Sequence, residues 1–177
     1  MFHRSERLLL RPFWPEDWGA VFKGIADEAI VRHLASAPWP YEAEHAQAFV
    51  ALPAELHFPR LAITLADGGA LIGCIGIDPG DAGADLGYWI ARPHWGRGYG
   101  TEAGRAMREI ARMLGHTRLT ASHFIDNPAS GRVLQKIGFA PTGVRRERAS
   151  LGRGAAAMTV EYALDLVAED SVMQRAA

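Results

Sequence analysis

The segment Trp95-Gly96-Arg97-Gly98-Tyr99-Gly100 sets three glycines at alternate positions, between residues 85–92, which read as a strand, and a helical pattern from Thr101. Backbone free of Cβ atoms can turn several N–H groups toward one anion near the positive end of a helix dipole. A diphosphate fits such a nest. Strand, glycine turn and helix in that order commit the region to an α/β arrangement. Gly98, Gly100 and Ala103 also satisfy the G-x-G-x-x-A dinucleotide fingerprint. That unit, however, sets its glycines directly off a strand and wants an acid roughly 20 residues on. Here Pro93-His94-Trp95 intervenes, and Thr117, Arg118 and Leu119 stand at that distance. A P-loop is excluded, because no Gly-Lys-Ser/Thr follows the glycines. A dinucleotide-binding oxidoreductase stays as the weaker alternative, and a tight turn without ligand as the plain one.

Around the turn the chain alternates helices and strands. Residues 5–11 centre on Leu8-Leu9-Leu10 and stop at Pro12, which predicts a first strand. Pro15 opens a helix with Glu16 and Asp17 at its positive end and Trp18, Val21, Phe22 and Ile25 on one buried face. Further helical pieces are expected at residues 28–34 and 41–52, on either side of the breaker Ser36-Ala37-Pro38-Trp39-Pro40. Leu61, Ile63 and Leu65 alternate as a strand, which Asp67-Gly68-Gly69 turns into a hairpin with residues 71–77. Ala103, Ala106, Met107, Ile110, Ala111 and Leu114 share one face of a helix that Gly115 stops. Residues 119–124 make a strand; Asn127-Pro128 cap a helix with Val133, Leu134 and Ile137 inward, and Gly138 ends it. Residues 139–148 and 159–166 form two closing strands. With no repeat or linker, the expectation is one domain over residues 1–177, a mixed α/β sheet with helices packed on it.

Composition narrows the function. A formal net charge of -1, from 19 Lys+Arg against 20 Asp+Glu, gives no bulk basic field for nucleic acid or an anionic membrane. No apolar run approaches the roughly 20 residues of a membrane span, so a cytoplasmic protein is expected. The single cysteine, Cys74, lies in the apolar run Leu71-Ile72-Gly73-Cys74-Ile75 and reads as a core thiol. The histidines have no ligand spacing, so no metal is expected.

These motifs, taken in order, resemble the GNAT superfamily of acyl-CoA N-acyltransferases, whose phosphate turn reads Gln/Arg-x-x-Gly-x-Gly/Ala. Trp95 departs from the polar first residue, as in the branch similar to ribosomal-protein N-terminal acetyltransferases. The branch resemblance runs from Ser5-Glu6-Arg7-Leu8-Leu9-Leu10-Arg11-Pro12 through Leu86-Gly87-Tyr88-Trp89-Ile90 and Thr101-Glu102-Ala103 to Asn127-Pro128-Ala129-Ser130 and Lys136-Ile137-Gly138-Phe139. It implies a single mixed, mostly antiparallel sheet flanked by helices, with a V-shaped cleft between two central strands. It also implies acetyl-CoA as cofactor, with CoA as product. The pantetheine arm is expected along Trp89, Ile90 and Ala91, and the pyrophosphate on amides of Gly96, Arg97, Gly98, Tyr99, Gly100 and Thr101. Asn127 and Ser130 are expected on the far side of the cleft, Asn127 serving equally as a helix N-cap. The partner implied is an amine, either a small molecule or a protein N-terminus, acetylated by a monomer or homodimer. A noncatalytic acyl-CoA-binding or sensing domain is the alternative from another class.

Acetyl transfer needs a neutral amine, a polarised carbonyl and a sulfur that can leave. An α-amine titrates near ~8 and a lysine near ~10.4, so roughly a tenth of the former is nucleophilic at neutral pH against well under a thousandth of the latter. For the proton donor, many superfamily members carry a tyrosine four residues before the Gly-Phe pair, where this chain has Leu134. Ser130 matches the serine of the ribosomal-protein branch; otherwise it is a locally bonded first-turn residue. Three residues are candidate bases. Asp85 stands where some members carry a glutamate, His123 would end the other side of the cleft, and Glu147 lies in Arg145-Arg146-Glu147-Arg148. Each also has a structural reading: a solvated strand start, a packed histidine and a surface ion pair.

Overall fold

One eight-stranded sheet runs the width of the molecule in the order β1-β2-β3-β4-β5-β6-β8-β7. The computed structural model describes residues 1–166. The strands are β1 His3–Arg4, β2 Leu8–Arg11, β3 Arg60–Leu65, β4 Leu71–Asp78, β5 Ala84–Ile90, β6 Arg118–Phe124, β7 Ala140–Ser150 and β8 Ala155–Asp165. The helices are α1 Trp18–Ile25, α2 Glu28–Val31, α3 Ala43–Ala51, α4 Tyr99–Met113 and α5 Pro128–Ile137. Neighbouring strands are antiparallel except β5 and β6, which are parallel because α4 carries the chain across between them. Among the described residues no helix is long and apolar enough to cross a membrane.

Strand alternation gives the sheet two different faces. Leu86, Tyr88 and Ile90 of β5 join the core under α4 and α5, whereas Trp89 packs with Val21, Ile25 and Cys74 under α1 to α3. The α4 stripe is as expected: Ala103, Ala106, Met107, Ile110 and Ala111 are buried. Met107 and Ile110 are wholly so, each stabilising by about 2 kcal/mol. At Gly104 an added Cβ would collide with Ile137, which is how closely α4 approaches α5.

β5 and β6 pair only at Ala84↔Leu119 and Asp85↔Thr120, and beyond that rung they separate. Among the strands, the rest of β5 is bonded to β4 alone, so alternate N–H and C=O groups of an interior strand point into a gap. This is the V-shaped cleft of the family pattern.

Several expectations need correction. The first strand is a hairpin, since β1 pairs with β2 and residues 5–7 form its turn. Pro15–Asp17 is a 3-10 turn ahead of α1, and Trp18 is 38% exposed instead of buried. Asp17 is turned inward: its carboxylate takes two bonds from Arg11, at 2.7 and 2.8 Å, and one from the Trp14 N–H at 2.8 Å. α2 and α3 are shorter than their helical patterns.

Candidate functional site

The gap between β5 and β6 opens into a cavity of about 1310 Å³. Gly96, Gly98, Tyr99, Gly100 and Thr101 border it. Gly96 and Gly98 take positive φ angles of 73° and 81°, a backbone state other residues adopt at a cost. Gly98 is the N-cap of α4 and brings no capping side chain. Among the described residues no hydrogen bond is formed by the N–H groups of residues 96–101, so the positive end of a 15-residue helix faces the cavity uncapped. Gly100 belongs to the helix instead of the turn; a Cβ there would meet the Tyr88 ring at 3.2 Å. Arg97 contributes backbone, and its side chain is exposed.

The turn is braced from the opposite end of the chain. Arg7 grips Glu102 through its N–H and Nε, both at 2.7 Å, and through Nη2 at 2.7 Å. Ser5 donates to the same carboxylate at 2.8 Å, and Arg7 Nη1 donates to the Arg97 carbonyl at 3.0 Å. The guanidinium also lies 4.7 Å from the Tyr99 ring centroid. Burial pushes the Glu102 carboxyl up, but the bonds from Arg7 and Ser5 more than reverse this and hold it below its ordinary range. Arg7 thereby neutralises the one acid in the first turn of α4, where it would otherwise oppose an incoming anion.

Along β5, Trp89 and Ile90 line the cavity, while Ala91 is tied to the Ile72 carbonyl at 2.8 Å and buried with the α1 to α3 core. Trp95 reaches back and donates its indole N–H to the Ile90 carbonyl at 2.6 Å. The position that departs from the family turn therefore still supplies a polar atom. Across the gap, Asn127 caps α5 by accepting the Ser130 N–H at 3.3 Å. The Ser130 hydroxyl lies 3.2 Å from that of Tyr88, which donates to it. Burial raises the Tyr88 hydroxyl above its ordinary value, opposed by the bond with Ser130. Leu134 is 1% exposed and offers no proton.

The three candidate bases fare differently. Asp85 borders the cavity, but its oxygens take bonds from Thr120 at 3.2 Å and Arg148 at 3.1 Å, and Arg148 also pairs with Glu161 at 3.4 Å. Burial lowers the Arg148 group, but the charges of Asp85 and Glu161 raise it further. His123 sits beneath the first turn of α5, with Nδ1 2.8 Å from the Phe124 carbonyl and Nε2 3.4 Å from the Tyr162 hydroxyl. Glu147 is exposed on the edge strand β7 and lies outside the cavity lining. It and Arg148 are successive residues of a strand and point to opposite faces, and Arg148 has the cleft side.

Sequence reasoning gave no role to Tyr88, Glu161, Arg132 or Lys136. Tyr88 was legible only as a hydroxyl at an otherwise apolar alternate position. Arg132 and Lys136, four apart on α5, border the cavity as exposed cations, a spacing that puts them on one helix face.

Residues 7–140 match the model of the acetyltransferase (GNAT) domain family. The uncharacterized N-acetyltransferase YoaA of Bacillus subtilis (strain 168) is 32% identical over 151 residues, which span 81% of this chain and 85% of that protein. A GNAT-family acetyltransferase from Bacillus anthracis superposes with a TM-score of 0.81 at 23% identity, covering 94% of this chain and 99% of that one. A ribosomal L7/L12 alpha-N-protein acetyltransferase, solved in complex with coenzyme A, has a TM-score of 0.77 at 21% identity over 94% of this chain and 98% of its own. The fold, the open cleft and the family match over most of the length agree, and this chain belongs to the GNAT acetyltransferase family as an N-acetyltransferase.

Proposed function

We propose that this enzyme takes its acetyl group from acetyl-CoA held at residues 96–101 and passes it to a primary amine, either a peptide N-terminus or a small molecule. The observation that carries the reading is the uncapped amino end of α4, with its unpartnered N–H groups, open to the cleft. The residues fit the group: Gly96 and Gly98 keep the backbone bare, and Arg132 and Lys136 add positive charge at the rim. When bound, acetyl-CoA supplies a thioester whose acetyl group goes to the amine nitrogen and whose sulfur leaves as the thiol.

The chain's own residues position and transfer protons. Because Tyr88 donates to the Ser130 oxygen, the Ser130 proton is free to be given to another acceptor. Tyr88 stays neutral, since burial disfavours its anion. The pair Tyr88–Ser130 replaces the tyrosine lost at Leu134, and this favours catalysis over a purely acyl-CoA-sensing role. Asp85, held by Arg148 and Thr120, fixes the point at which β5 and β6 part. An α-amine near pKa ~8 needs little help to lose its proton, and water at the open mouth is a sufficient acceptor. Release of free thiol from acetyl-CoA across a panel of amines tests the reading; a CoA-binding protein that releases none with any amine is a sensor. NADH should not displace CoA, and saturable displacement at micromolar NADH would restore the dinucleotide reading.

A further inference from the structure

The half of the cleft facing α1 to α3 has a floor of bare backbone. Arg60, Gly76 and Gly87 are partners in one rung across β3, β4 and β5. Partners across antiparallel strands point to the same face of a sheet. The rung on one side carries Cys74 and Trp89, and the rung on the other carries Asp78 and Asp85. Gly87 is exposed although β5 is an interior strand, and an added Cβ there would find nothing within 4 Å. The rung is open at Gly87 and half-buried at Gly76, where an added Cβ would meet the Pro59 carbonyl at 3.2 Å. The result is a slot one residue wide, leading from the parting of β5 and β6 across two strands to Arg60, and all of these residues line the cavity.

Arg60 closes the slot. Its Nη2 donates to the Phe49 and Leu52 carbonyls, each at 3.3 Å, and the guanidinium lies 4.7 Å from the Phe49 ring centroid. It is thus fixed at the negative end of α3. Its Nε is sealed from solvent, its Nη1 makes no hydrogen bond and is not buried, and among the described residues no carboxylate forms an ion pair with it. Arg7, Arg11, Arg148 and Arg153 each face a carboxylate. Arg60 alone of those bordering the slot is a fixed cation with donors to spare, the arrangement that receives a carboxylate. Of the acids alongside, Asp85 is committed to Arg148, and Asp78 is exposed and screened by solvent.

We propose that this slot binds the acceptor, and that the acceptor is an amine bearing a carboxylate about a dipeptide's length away, its nitrogen beside Gly87 and its carboxylate on Arg60. Two strand spacings put the Arg60 and Gly87 backbones about 10 Å apart, and an extended dipeptide spans about 7 Å, the remainder being bridged by the arginine side chain. The proposal rests on the cleft being the acetyl-transfer site. The carboxylate comes either from the second side chain of a peptide N-terminus or from the end of a free dipeptide.

Two acceptor pairs separate these sources: C-terminally amidated hexapeptides beginning seryl-glutamyl or seryl-glutaminyl, and free seryl-leucine against its amide. The acid member of one pair should be preferred by roughly tenfold or more in kcat/KM. Arg60→Gln should bring that ratio near one without changing KM for acetyl-CoA. Loss of the α3 cap alone would lower both members equally and leave the ratio intact, so an unchanged ratio overturns the proposal. Gly87→Val, which keeps Arg60 and suits a strand, should raise acceptor KM while CoA binding by calorimetry is kept; it carries the test if Arg60→Gln does not fold, and unchanged acceptor KM then overturns the slot. Turnover without acid preference in either pair contradicts the proposal but leaves the enzyme reading standing. A CoA-binding protein that releases no thiol with any amine overturns both.

Discussion

Ser130 and Tyr88 are where single atoms matter most. Two hydroxyls 3.2 Å apart meet where β5 and the start of α5 face each other. Removing the donor with Ser130→Ala should lower turnover by roughly 10²-fold or less, because a thiol near pKa ~8.5 is already a good leaving group. CoA affinity should stay within a few fold of wild type, as calorimetry would record. Wild-type turnover in a folded variant, with chemistry rate-limiting, would reduce Ser130 to a helix-turn residue. His123 borders the cavity with Nδ1 2.8 Å from the Phe124 carbonyl and Nε2 3.4 Å from the Tyr162 hydroxyl, and kcat/KM is expected to rise with pH as the acceptor amine loses its proton. Ser130 was visible in the sequence only through the resemblance of Asn127-Pro128-Ala129-Ser130 to the ribosomal-protein branch. Tyr88 stayed silent because alternation marks a face and says nothing of which neighbour a hydroxyl meets.

At the level of elements, the β1–β2 turn and the first turn of α4 act as one unit through Arg7 and Glu102. Glu102→Gln and Arg7→Ala should each raise KM for acetyl-CoA by roughly tenfold while kcat changes little, since the brace holds the turn and touches no reacting atom. The double variant should be no worse than either single one. Initial-rate kinetics decide this: a fall in kcat at constant KM, or additive losses, would mean that the brace is not what orders the turn. The helix itself was legible, because apolar residues at helical spacing and a stop glycine need no partner to be read. The brace was not, as its partners are 95 positions apart. Trp18 was misread for a related reason: helical spacing marks a stripe, but the 3-10 turn at Pro15–Asp17 shifts where α1 begins to face the core.

For the molecule as a whole, folding depends on carboxylates held below their ordinary range. Burial raises Asp17, but the bonds from Arg11 and the Trp14 N–H overcome it, and Asp126 is lowered first by its bond from Arg153. With Glu102 they bind protons more readily unfolded than folded, so their stabilisation is complete above the ordinary carboxylate range near ~4 and is lost as pH falls through the folded values. Arg11→Met leaves Asp17 buried without its cation and should cost about 3–5 kcal/mol at neutral pH in urea melts. That penalty should shrink as pH falls and Asp17 takes up its proton; a pH-independent difference would assign the loss to packing against Trp14 instead. The mixed, mostly antiparallel sheet and its cleft were foreseen only as a family pattern, and the order of strands was not foreseen, because pairing between distant segments leaves no local periodicity. The most direct test of acetyl-CoA binding on the glycine turn is calorimetric titration of CoA into wild type and Gly98→Val, each confirmed folded. A branched side chain at φ 81° both strains the turn and crowds the open end of α4, so affinity should fall by roughly tenfold or more; equal affinity in the two proteins would contradict the assignment.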